Sequence, residues 1–446
     1  MSGPNADLAE FVAELEYADL PAEVAERVKA ITIDAIASAI AGRHGEETAQ
    51  VQRLAEAVTG QGSSTILGGP RTFSPAGAAL LNGYQVTAVT VCDVFAPALC
   101  HVTPQVVPPA LAMAEQRGAS GRDLLAAVAA GLETTVRVGM ATNYPEFRKR
   151  GWHSPGVIGP FGGAAAAGSL LNLSAEQQRN AFGLAGSQAA GTFAHWGTPT
   201  IKFHQSRGSL SGLLAANLAA QDFRSAEEIF TNPDGGLLHA YSDGGNPEAL
   251  TDGLGSDWRL EGIALRRWPA ASSVQTMITS LFALLETHDI KVDDVAQVRV
   301  SLSETVYKMH GSLPWEDKFR AQLSAPYLTA IILHDRQCWL EQFTPARFAN
   351  AEVDTFAREK VHVSADPTLE GTASIVEVEL ADGTVHRDDR AIAKGDPRDP
   401  LSLDEIVAKF REASTGLVDT EPALSELLDL DNTTDASSAI AALAGA

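Results

Sequence analysis

Three cysteines in 446 residues are too few to staple a fold. Cys92, Cys100 and Cys338 have neither metal-ligand spacing nor the density of a disulfide framework, and they suit a reducing compartment. Basic residues are also scarce, with 33 Lys and Arg against 56 Asp and Glu and a formal net charge of −23. A surface of that sign repels a phosphate backbone and no basic run offsets it, so nucleic-acid binding is not expected. An anionic ligand would need a local island of cations, which screening over about 8 Å permits. No uninterrupted apolar run reaches bilayer length, and "MSGPNADLAEFVAELEYADL" lacks a basic n-region followed by an apolar h-region. No membrane contact is expected, and the cytoplasm is the expected location. Familiar catalytic signatures are missing too: there is no Walker loop, no HExxH and no GxSxG, and Thr65 stands where a third glycine would complete the run begun by Gly60 and Gly62. Neither a metal nor an organic cofactor is expected.

What is present is globular composition, 45% apolar and 20% charged, in a chain long enough for two domains. Leu8, Phe11, Val12 and Leu15 predict an amphipathic helix over 6–16. Pro21 opens a second helix, whose apolar residues from Val24 to Ile40 occupy more than one face, as in a buried central helix. Alanine- and glycine-rich apolar segments near 76–90, 105–117, 121–142, 156–171, 175–190 and 207–221 continue the helical pattern. After about residue 262 the texture changes. "AQVRVSLSETV", "KVHVSAD" and "ASIVEVELADGTVHR" alternate in the manner of strands, and Asp382-Gly383 marks a hairpin turn. "GDPRDPLSLDEIVAKFREAS" returns to helix, with Ser402 and Glu405 at capping-box spacing. The closing "DLDNTTDASSAIAALAGA" reads as a weakly held tail. The expected fold is mainly α: a large helical domain over 1–262, a smaller α+β domain over 263–395, and C-terminal helices over 396–446 that return to the helical domain.

Histidines and cations gather at the breaks between the helices. "VCDVFAPALCHVTP" carries Asp93 and His101. "NYPEFRKRGWHSPG" carries Tyr144, Arg148, Lys149, Arg150 and His153, and "GTPTIKFHQSRGS" carries Lys202, His204 and Arg207. Arginine and lysine hold carboxylates, and histidine exchanges a proton near neutral pH. The set therefore suits binding a small polycarboxylate and moving a proton on it.

The sequence resembles the MmgE/PrpD family over nearly its whole length. The likeness runs from "LAEFVAELEYADLPAEVAERVKAITIDAIASAIAG" through "RGWHSPGVIGPFGGAAAAGSLLNLSAEQQRNAFGLAGSQAAGT" and "GSLSGLLAANLAAQDFRSAEEIF" to "GDPRDPLSLDEIVAKF". It implies a helical domain built from both termini, an inserted α+β lid, a homodimer, and chemistry on a small carboxylate substrate without metal or organic cofactor. His153 in "RGWH" matches the family's active-site histidine, and His101 matches the histidine that ends its acidic loop. Other positions depart from the family pattern. Asp93 is the one carboxylate in Val91-Cys92-Asp93-Val94-Phe95, where relatives read D-F-D-D-T. Ile201 takes the usual lysine place and Lys202 stands one residue on, while Ala271 and Gln275 replace the cysteine and histidine of a Y-P-x-C-x-x-x-H pattern. Tyr307 is the match for the lid's phenol.

The expected chemistry is proton transfer beside a carboxylate. His153 is the base or acid, Asp93 orients His101, and Lys202, Arg148 or Arg150 hold carboxylates, with Tyr144, His204 and Gln275 completing the substrate pocket. Elimination of water or carbon dioxide is the first reading. Epimerisation or isomerisation of a dicarboxylate is the alternative, and a scaffold that has lost catalysis is the third.

Overall fold

A computed structural model describes residues 3–417 and 420–444. The chain forms two compact units, Met1–Ala264 with Ser402–Ala446, and Leu265–Leu401.

The larger unit is helical. Its elements are α1 (Pro4–Glu14), α2 (Ala22–Gly42), α3 (Thr48–Thr59), α4 (Pro75–Ala88), α5 (Thr103–Arg117), α6 (Gly121–Ala141), α7 (Tyr144–Lys149), α8 (Ser154–Leu170), α9 (Ala175–Gly186) and α10 (Thr200–Ala219). Starts are written locally: Ser120 with Asp123 and Ser174 with Gln177 close capping boxes, and Pro75 and Pro155 sit in first turns where a missing N–H costs nothing. α8 is buried along its length except at Ser169. Close approach explains its glycines. A Cβ at Gly162 would overlap the Thr135 hydroxyl of α6, one at Gly131 would lie 2.8 Å from the Gly162 carbonyl, and one at Gly212 of α10 would lie 2.6 Å from the Ala164 nitrogen. Contacts that tight leave no room for a methyl group in a close-packed interior.

By length and composition α6 is apolar enough to cross a bilayer, though Glu133 and Arg137 interrupt its apolar run, and it is almost wholly buried in the unit. Two of its four charges, Glu133 and Arg137, are buried and answered internally. Arg137 donates to Glu133 at 2.6 Å and to the carbonyls of Asp252 and Asp257 at 2.7 and 2.8 Å, and Glu133 also accepts the amides of Arg259 and Leu260 at 3.1 and 2.9 Å.

The chain returns to this unit at the helix Leu403–Ala413, which the Ser402–Glu405 box opens. Lys409 of that helix is fully buried and donates to Asp34 of α2 at 2.7 Å and to the Val91 carbonyl at 2.9 Å. The final stretch is not a weakly held tail. The Ala436 amide donates to Ala119 at 2.8 Å, Gly121 to Thr433 at 2.9 Å and Gly68 to Leu443 at 2.8 Å, while Ala436, Ala439, Ile440 and Leu443 are buried. Residues 445 and 446 of that stretch lie outside the described residues.

The smaller unit is α+β. Its sheet holds β1 (Val295–Leu302), β2 (Val361–Ala365), β3 (Ser374–Leu380) and β4 (Val385–Arg390) in the order β2-β1-β3-β4. β1 and β2 run parallel, Val300 beside Val363, and the other pairs are antiparallel. Val298, Val300 and Leu302 face a core shared with the helices Gln275–Thr287 and Ala325–Asp335. Arg299 faces outward and reaches Glu377 at 3.1 Å and Glu379 at 3.0 Å. The β3–β4 hairpin turns at Asp382-Gly383, where Gly383 takes φ +88.

Breaking a buried ion pair strands a charge, whereas removing both partners does not. Lys409→Met should therefore cost the larger unit about 3–5 kcal/mol in urea unfolding. The double variant Lys409→Met with Asp34→Leu should recover most of that loss; equal losses in the single and double variants would refute the pair's role.

Candidate active site

The site grows from a short backbone zipper in the larger unit. Trp152 bridges Thr192, the His153 amide donates to the Gly191 carbonyl at 3.0 Å, the Phe193 amide to Gly151 at 2.7 Å and the Ala190 amide to Gly156 at 3.2 Å. His153 is thereby fixed in extended backbone as the residue before α8. Opposite it, the first turns of α10 present His204. The two imidazoles meet Nδ1 to Nδ1 at 3.1 Å, and each residue is 7% exposed.

Glycines make this meeting possible. Gly191 has φ +145, and a Cβ there would press on the His204 ring at 3.0–3.3 Å. A Cβ at Gly156 would overlap the Ala190 carbonyl and touch the His204 Cβ at 3.1 Å. Arg207, one turn along α10, ties the wall together by donating to Gln188 at 2.6 Å, Gly156 at 2.9 Å and Ala190 at 2.6 Å.

Electrostatics keep both rings neutral. Burial, then the charges of His204, His101 and Arg148, push His153 well below the ordinary histidine range. Burial, then His195 and Arg207, lower His204 to about 4. A neutral imidazole has one donor and one acceptor nitrogen, and two Nδ1 atoms in contact need one of each. The rings are therefore held in opposite tautomers. One offers an Nε2 lone pair and the other an Nε2–H, so the pair contains a base and an acid.

Cations and phenols flank the pair. The guanidinium of Arg148 stacks 3.4 Å from the Phe193 ring centroid. Stacking occupies its face and leaves N–H donors along its edge, which is the edge that grips a carboxylate. Among the described residues no carboxylate pairs with it. Tyr144 is half-buried, and burial raises its hydroxyl above the usual range while Arg148 opposes that rise, so it stays a neutral donor. Tyr241 edges onto Trp152 at 4.9 Å and donates to the Ala189 carbonyl at 2.5 Å. His195 meets the His204 ring edge-on at 5.6 Å.

The other expected residues divide by place. His101 donates from Nδ1 to the Asp93 carbonyl oxygen at 2.6 Å, which makes Nε2 its proton-exchanging nitrogen, and its charge bears on His153. The Asp93 carboxylate itself is engaged at the start of α5. It accepts the Val102 amide at 2.7 Å, the Thr103 amide at 3.0 Å and the Thr103 hydroxyl, holding the start of α5. Burial raises its pKa, and the His101 charge and these bonds pull the other way. Lys202 donates to the Ala88 carbonyl at the end of α4, at 2.6 Å. Arg150 is exposed, 3.5 Å from the His239 carbonyl, so of the two arginines only Arg148 flanks the histidines.

Gln275 and Tyr307 belong to the smaller unit. Gln275 is spent on its own turn. Its amide donates to the Trp268 and Ala270 carbonyls at 3.0 and 3.1 Å. Tyr307 packs against that unit's core. Sequence reading did not find Phe193 or Tyr241, since neither lies in a motif and only folding brings them to His153. Among the described residues no three His, Cys, Asp or Glu side chains are grouped to hold a metal ion.

Opposed neutral imidazoles beside an unpaired arginine are equipment for moving protons on a small bound anion, and the chain is an enzyme of the lyase class. The chain belongs to the MmgE/PrpD family: the family's N-terminal domain matches residues 6–250 and its C-terminal domain residues 268–431. The chain is 30% identical to "Cis-aconitate decarboxylase-like protein oryM" of Aspergillus oryzae, over 99% of this chain and 97% of that protein. It is 26% identical to the cis-aconitate decarboxylase of Aspergillus terreus, with 96% and 92% covered, and 25% identical to that of Homo sapiens, with 93% and 89% covered.

Because burial and neighbouring charges hold both rings neutral, imidazole NMR should show His204 titrating near pH 4 and His153 titrating well below the ordinary histidine range. An acid limb of the activity profile governed by this pair should accordingly lie below pH 5. Titration of either ring near 6.5 would contradict the arrangement.

Proposed function

We propose that this protein is a cofactor-independent carboxy-lyase that removes carbon dioxide from a small unsaturated polycarboxylate of the cis-aconitate type. The observation that carries the proposal is the His153–His204 contact, which holds an acid and a base nitrogen in one buried site beside Arg148. The names of the relatives support the substrate class.

In this reading Arg148 grips one carboxylate of the substrate by the edge of its guanidinium, and Tyr144 donates to the same group. The bond between the carbon skeleton and a second carboxylate breaks, its electron pair passes into the skeleton, and carbon dioxide leaves. The imidazole bearing Nε2–H protonates the carbon that receives the pair. The site's dryness favours the step, because a charged carboxylate becomes a neutral gas while the developing negative charge stays near a cation. His153 is the first candidate for the proton donor, with His204 setting its tautomer and His101 the alternative donor on the opposite wall. Asp93 acts at one remove, since it holds the helix start on which His101 hangs.

The test is incubation of the full chain in D2O with cis-aconitate, citrate and chiral dicarboxylates, followed by proton NMR and gas analysis. Release of carbon dioxide with a new deuterated vinyl dicarboxylate is expected. Loss of water would shift the reading to a dehydratase, and deuterium uptake without loss to an epimerase; silence across the panel would overturn it. His153→Ala should lower kcat by about 10²–10⁴-fold. Arg148→Met should act mainly by raising KM, and full turnover in the His153 variant would remove that residue from the mechanism.

A further inference from the structure

The smaller unit contains a further buried histidine with defined partners, and the lyase reading makes no use of it. His310 ends the helix Glu304–His310 and is 1% exposed. Its Nδ1 is 2.9 Å from the Leu323 carbonyl oxygen, and its Nε2 is 2.7 Å from Oγ of Ser273. A carbonyl can only accept, so Nδ1 carries the hydrogen. Nε2 of the neutral ring is then a lone pair, and the Ser273 hydroxyl must donate to it. Nucleophile, base and orienting group thus stand in a row.

Several features hold that row in place. Ser273 lies in the turn Ser272–Val274 that leads directly into the helix Gln275–Thr287. Gln275 clamps this turn from one side, and the Ala271 amide clamps it from the other by donating to the Gln322 carbonyl at 3.1 Å. Ser324 donates to the Leu313 carbonyl at 2.7 Å and steadies the segment that carries Leu323. Among the described residues the amides of Ser272 and Ser273 donate to no backbone acceptor. These two amides are the candidate donors to an oxyanion formed at Ser273. Ser273 is half-buried, so solvent reaches the serine while the histidine behind it is sealed. Burial also lowers His310 to about 4, which keeps the ring in its accepting form at neutral pH.

We propose that Ser273 is a nucleophilic serine, with His310 as its general base, that takes the acyl group of small activated carboxylic esters. Ser273 Oγ forms a bond to the acyl carbon as its proton passes to His310 Nε2. The ester C–O bond then breaks, and the proton goes to the departing alcohol oxygen. Water, deprotonated by the same nitrogen, attacks the acyl-serine, releases the acid and restores the hydroxyl. The balance is ester plus water giving acid plus alcohol.

The experiment treats the full chain with p-nitrophenyl acetate and, separately, with a fluorophosphonate probe. Released nitrophenolate is followed, and the modified residue is mapped by peptide mass spectrometry. Acetyl and phosphonyl adducts on Ser273 are expected. Ser273→Ala should abolish both, and His310→Asn should slow them at least tenfold. Thermal melts monitored by circular dichroism accompany each variant. Because the buried His310 variant can fail to fold, the decision rests on Ser273→Ala, which removes a single oxygen. Adducts confined to lysines or other serines, or nitrophenolate release that persists in folded Ser273→Ala, would overturn the proposal.

Discussion

A lysine ammonium sealed from water must find acceptors inside the protein, and those of Lys409 organise the larger unit. One is the Asp34 carboxylate in the middle of α2; another is the Val91 carbonyl. Two residues beyond Val91 stands Asp93, whose carboxylate holds the first amides of α5 and whose carbonyl receives the His101 imidazole. A helix near the end of the chain is thus linked, through one ammonium and a few hydrogen bonds, to a histidine of the candidate site. Each link is short-range and inside the protein, where such bonds are strong when complete and costly when broken.

The second constraint is steric. α8 can lie against α6 and α10 only because glycines stand at the crossings, and His153 can meet His204 only because Gly156 and Gly191 carry no side chain. The small-residue wall and the imidazole pair are parts of one arrangement. A wall of larger residues would hold α10 further off and separate the two nitrogens now 3.1 Å apart. Burial keeps both rings neutral, and at His153 the neighbouring His204 adds to that effect.

Local rules made much of the fold legible. Ser402 and Glu405 announced a helix start, Asp382-Gly383 a hairpin, and the spacing of Leu8, Phe11 and Val12 a helix whose ends differ from the expected 6–16 by two residues. The C-terminal stretch was misread because its anchors, Gly68, Ala119 and Gly121, are distant in sequence and act through backbone groups that leave no trace in residue type. In the candidate site, motif and position together singled out His153 and His101, and the fold sets His153 against His204. The site was opaque where function depends on partners: Asp93 receives His101 on its carbonyl while its carboxylate holds the start of α5, and Gln275 donates to carbonyls of its own turn. The meeting of His153 with His204, 51 residues apart, follows from helix packing that no pattern in either segment encodes.

Discontinuity of the larger unit also sets an order of events during synthesis. Asp34 leaves the ribosome 375 residues before Lys409 does, and the whole of Leu265–Leu401 is made in between. At about 5–20 residues per second that interval lasts roughly 20–75 s. Throughout it the carboxylate at the heart of α2 lacks the Lys409 ammonium that it meets in the finished unit. The inserted unit, continuous in sequence, can fold while its host waits, so a ribosome that stalls before residue 409 leaves a finished insert attached to an unfinished body.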